Sequence, residues 1–78
     1  MTDQKMIECL VTEFSRNCKV QPEQIEEAFK IAKQELNDSL RAYSATQSVL
    51  VNMFRDDSKK AWLITKETEK NMRKILSQ

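Results

Sequence analysis

An all-α fold is predicted by three observations. The 78-residue chain contains no Gly and one Pro, whereas the tight hairpins of a small β-fold depend on residues that accept positive φ, Gly above all. Its apolar residues recur at helical spacing, not in alternation, over most of the length. With 40% hydrophobic and 32% charged residues, it has the composition of amphipathic helices around one small core. A chain this short is expected to form one domain, residues 1–78.

The spacing predicts three helices. The first covers residues 3–18, with Thr2 or Asp3 as N-cap and Met6, Ile7, Leu10, Val11, Phe14 and Cys18 in one apolar arc. Cys9 falls outside that arc and is expected at the surface. The second begins at Val20-Gln21-Pro22-Glu23-Gln24-Ile25. Pro22 suits the first helical position, Glu23 the positive end of the helix, and Val20 can pack back on Ile25. From there Ile25, Phe29, Ala32, Leu36, Leu40, Tyr43, Leu50 and Phe54 hold one face. With no Gly or Pro to interrupt it, this predicts one helix over 22–55, about 50 Å long. The third covers 58–77, capped from Asp56-Asp57-Ser58, with Ala61, Trp62, Ile64, Thr65, Thr68, Met72, Ile75 and Leu76 inward.

The expected architecture is therefore a long central helix with shorter helices packed along it. One chain leaves part of such a helix uncovered, and a second stripe of Ile31, Ala42, Ala45 and Val49 runs beside the first. Uncovered apolar stripes favour self-association. Hence a homodimer is expected, with Ile31, Ala42, Ala45 and Val49 at its interface.

Composition also limits chemistry. With no His, no Gly-rich loop and no Cys beside a base, the usual catalytic machinery is missing and the chain is expected not to be an enzyme. Cys9 and Cys18 lie nine residues apart. On one helix that is about 13 Å along the axis and opposite faces, so they read as reduced thiols. Two Cys without His do not make a zinc site, and no metal or cofactor is expected. The longest apolar run, Val49-Leu50-Val51, is far short of the roughly 18 residues of a membrane span. Without an apolar leader at the N-terminus, a cytoplasmic address is the default expectation.

Formal charge is +1, so charge can matter only locally. Residues 1–38 carry eight acids and five bases, and residues 39–78 four acids and eight bases. Within the basic half, Lys59, Lys66, Lys70, Arg73 and Lys74 fall in an arc of about 100° opposite the apolar face, with Leu63 in its middle. A solvated face is the ordinary reading of such an arc. Its functional reading is a docking surface for an acidic protein, anchored by Leu63. The alternative is a regulator that tracks nucleic-acid phosphates with the same face. A helix-turn-helix-like spacing over Val11 to Ala28 is the weaker nucleic-acid signal, because Glu23, Glu26 and Glu27 would meet the phosphates. The function expected from sequence is thus a small helical protein-interaction module: an adaptor, inhibitor or assembly factor.

Overall fold

The computed structural model describes residues 2–18, 20–54 and 63–78, the side chains of Asn17 and Cys18 excepted. Within them are four helices and no strand: α1 (Asp3–Cys18), α2 (Pro22–Leu36), α3 (Ser39–Phe54) and α4 (Lys66–Leu76). The all-α expectation holds; the expectation of three helices does not.

α1 begins where Thr2 Oγ1 accepts the Lys5 N–H at 3.3 Å. It buries Met6, Ile7, Leu10 and Phe14 and leaves Cys9 exposed. The expected burial of Cys18 lies outside the described residues. α2 opens with Pro22 in its first turn, and the Gln21 N–H donates to Gln24 Oε1 at 2.8 Å. Val20 and Ile25, on either side of this start, are both buried, the pattern of a hydrophobic staple.

The predicted 22–55 helix is broken at Asn37-Asp38. Asn37 takes the left-handed conformation (φ 53°, ψ 33°), and its N–H donates to the Lys33 carbonyl at 2.7 Å, closing α2. Asn is among the few non-glycine residues that visit this region readily. Asp38 then caps α3, its Oδ1 accepting from the N–H groups of Leu40 (2.9 Å) and Arg41 (3.2 Å). These two adjacent polar side chains do what Gly and Pro usually do. The longest dimension of the molecule is 28 Å, about half what the unbroken helix needed.

Folding back changes which face of α3 is inside. Ala42, Ala45 and Val49, expected at a dimer interface, are fully buried within the chain's own core, together with Thr46 and Leu50. Ala42 and Ala45 join Ala28 and Ala32 of α2 in that core, and small side chains permit close helix approach. Ile31 is only half-buried. It lines a shallow groove with Asp3, Glu27, Lys30 and Asn37. In exchange, Leu40 and Phe54 of the expected core stripe face outward. Thr46 is reconciled with burial by donating its hydroxyl to the Ala42 carbonyl at 2.8 Å.

α2 is the central element, packed against α1, α3 and α4. Among the described residues, α1 and α4 do not touch. Polar contacts at the helix ends give the directions: Asp3 lies against Lys33 and Ser39, Glu35 against Thr65, and Gln24 against Ile75 and Gln78. α2 therefore runs antiparallel to the other three. α2 is flanked by three helices, and the face it leaves to solvent carries Glu23 and Glu27, so a groove-reading role for it would still set acids against phosphates.

Candidate interaction surfaces

The C-terminal helix starts later than the predicted 58–77. Thr65, extended at φ −72° and ψ 161°, is its N-cap, with Oγ1 accepting the Thr68 N–H at 3.2 Å. The N–H of Thr65 itself donates to the Glu35 carboxylate at 3.2 Å. Ile64 is half-buried before the cap. On α4 only Met72 and Leu76 are fully inside. The expected caps Asp56, Asp57 and Ser58, and the expected core residues Ala61 and Trp62, lie outside the described residues.

This start redistributes the predicted basic face. Lys66, Lys70 and Lys74 are exposed and form a straight i, i+4, i+8 row on the solvent side of α4. Arg73 is half-buried and bound to Glu69, Nη2 at 3.1 Å and Nε at 3.3 Å from Oε1. Its charge is matched within the helix, so it does not extend the row. Lys59 lies outside the described residues. Leu63 is 43% exposed, but it sits in the turn before the Thr65 cap. It therefore stands beyond one end of the lysine row, not in its middle. Among the described residues, no carboxylate lies within ion-pair distance of Lys66, Lys70 or Lys74, whereas Lys30 pairs with Glu26 at 3.4 Å and Lys33 with Asp3.

A second polar cluster gathers where α1, α3 and α4 begin and α2 ends. The Asp3 carboxylate accepts from Lys33 Nζ and, at 2.6 Å, from the Ser39 hydroxyl. Its pKa is lowered, chiefly by the Lys33 hydrogen bond and then by Ser39. Glu35 is also lowered, first by the Thr68 hydroxyl and, against some desolvation, by the N–H and hydroxyl of Thr65. These side chains tie helices together and leave no carboxyl poised for proton transfer. A carboxylate whose folded pKa is depressed stabilises the fold above its unfolded pKa. That contribution is lost as pH falls through the ordinary carboxylate range to below the folded pKa. The melting temperature should therefore fall on acidification, and Asp3→Asn with Glu35→Gln should flatten that fall. An unchanged acid profile in the double variant would show that neither carboxylate contributes.

A third surface escaped the sequence reading. α3 carries one charged residue, Arg41, and its outward side includes Leu40 (66% exposed), Phe54 (37% exposed) and half-buried Tyr43, Gln47 and Val51. Gln47 Nε2 donates to Glu13 Oε2 of α1 at 3.2 Å. Tyr43 has its pKa raised by burial, with Cys9 and Glu13 adding to the effect. The signal was present in the sequence as the stripe assigned to the core. Its orientation could not be read without the break at Asn37.

No helix among the described residues is long and apolar enough to cross a membrane. Comparison with protein-family models, with curated proteins and with solved structures returned no match to this chain.

Proposed function

We propose that the chain is a small non-enzymatic protein-interaction module, an adaptor, inhibitor or assembly factor, that acts as a homodimer and docks an acidic protein surface through α4. The observation supporting the docking surface is the exposed row of Lys66, Lys70 and Lys74, which no carboxylate of the described residues pairs, with exposed Leu63 beyond one end. A row of point charges steers an acidic partner and sets its direction, while a single apolar side chain at the end of the row supplies the contact that holds it. The absence of His from the sequence supports the non-enzymatic part. The rival reading is a nucleic-acid-associated regulator, for which the same lysines would contact phosphates.

A photoreactive group placed at position 63 identifies the partner, and titration of the purified pair then tests the reading. Leu63→Ala is expected to weaken binding about tenfold, and Lys70→Ala about twofold, as for an anchor against a rim charge. Equal losses would count against the anchor. Sedimentation with a short random DNA duplex separates the rival: co-sedimentation lost as salt rises would put nucleic acid first.

A further inference from the structure

Gln24 is bonded to the ends of two helices. In the first turn of α2, its Oε1 accepts the Gln21 N–H at 2.8 Å. Its Nε2 donates to the Ile75 carbonyl and to the main-chain oxygen of Gln78, each at 2.9 Å. One orientation of the amide serves all three partners, since the oxygen must face the N–H and the nitrogen the two oxygens. The last carbonyls of a helix have no partner within it. The same side chain therefore helps to open α2 and to close α4.

α2 by itself would be better served by an acid at this position. Three residues after the N-cap Gln21, a Glu accepts the N-cap N–H as Gln does, and its charge suits the positive end of the helix. What Glu lacks is a donor. A carboxylate here would turn a bare oxygen toward the two oxygens at the end of α4. The amide is thus required by α4, not by the helix that carries it.

α4 depends on such contacts. It has 11 residues, a length at which a helix is marginal in water unless packing holds it. Its first end is held where Glu35 accepts from the Thr65 N–H. Its last end carries Lys74, which precedes Ile75 in the sequence, and helix ends open at little cost when nothing fixes them. Lys66, Lys70 and Lys74 make one row only while the helix is intact as far as Lys74.

We infer that Gln24 is a positioning residue for this row: its amide latches the last turn of α4 to the start of α2 and so keeps Lys74 in line with Lys66 and Lys70. This rests on the docking reading above and assigns control of the surface to a residue on another helix. The two ends of the surface are then fixed separately, Leu63 by the contact of Thr65 with Glu35 and Lys74 by Gln24.

The test is native-state amide hydrogen exchange at neutral pH on the whole chain and two variants, with circular dichroism to confirm that each is folded. Gln24→Glu should speed exchange over residues 73–77 about tenfold or more, fading toward Thr65, while α1 and α3 keep their wild-type rates. The Gln21 amide should stay protected in this variant, because the carboxylate still accepts its hydrogen. Gln24→Ala should expose the Gln21 amide and loosen the end of α4 by a smaller factor, since it removes the donors without adding a repelling oxygen. A residue that served only the start of α2 would give the opposite sign, with Gln24→Glu at least as well protected as the wild type throughout. Wild-type rates over residues 73–77 in Gln24→Glu would overturn the latch. So would equal acceleration along all four helices, because the end of α4 would then open only with the whole bundle. The measurement needs no partner, so the latch can fail while the docking reading stands. The docking reading fails on its own if Leu63→Ala and Lys70→Ala leave binding unchanged.

Discussion

Phe29→Ala should lower the melting temperature by at least about 12 °C, and in the warmer part of the physiological range it should leave a substantial unfolded fraction. Phe29 is 1% exposed and sits on α2, the helix that packs against all three others. Removing a buried aromatic ring costs about 3–5 kcal/mol, part lost transfer energy and part the cavity left behind. For a chain of this size the whole stability is about 4–12 kcal/mol, so one side chain carries a large share. Each kcal/mol corresponds to about 4–8 °C in a domain of this length. Calorimetry checks the shift. A fall of less than about 5 °C would mean that other large side chains of the same core, such as Met6, Leu10 and Leu50, collapse into the space, and that the core is less tightly packed than its burial implies.

Met72→Ala should destabilise by about 2–5 kcal/mol, and the loss should be felt first on α4. That helix fixes itself to the bundle with only two fully buried side chains, Met72 and Leu76. Half-buried Ile64 and Ile75 add to these, and polar contacts hold the ends: Gln24 Nε2 donates to the carbonyls of Ile75 and Gln78, both at 2.9 Å, and Glu35 accepts from Thr65. Local opening follows local burial. Amide hydrogen exchange in the variant should therefore speed up over Lys66–Leu76 before it does so over α1 and α3. Uniform acceleration along the chain would show that α4 unfolds only with the whole bundle.

How far the sequence could be read depends on which interactions decide each element. α1 and the start of α2 are decided locally: Thr2 caps one, and Val20, Gln21, Pro22 and Gln24 start the other. Capping residues and spacing together located both. The break at Asn37-Asp38 is also local, but its signal is two residues that favour helix ends and are still tolerated, at a small cost, inside exposed helices. The apolar stripe continued through the break in phase, so periodicity gave no warning. Once the chain reverses, the choice between two faces of α3 rests on packing against α2, where the small Ala42 and Ala45 enter the same core as Ala28 and Ala32 and allow a closer approach than Leu40 or Tyr43 would. That is a tertiary preference, and no window of sequence contains it. Of the proposed surface on α4, the lysine row was legible because exposure of charge is a local rule. The pairing of Arg73 with Glu69 was legible too, as an i,i+4 pair. The placement of Leu63 was not, since it depends on Thr65 ending the turn.

The arrangement of one helix against three has a consequence for the molecule as an electrical object. Each helix acts as roughly half a positive charge at its start and half a negative charge at its end. Antiparallel neighbours cancel in pairs, but here α1, α3 and α4 all oppose α2 alone. The backbone therefore leaves about one net positive charge at the end where three helices begin. Asp3, Glu35 and Asp38 stand at that end, where their charges offset it. Three carboxylates, one of them paired with Lys33, more than match that charge, so the end where three helices begin does not draw anions as a bare helix start would.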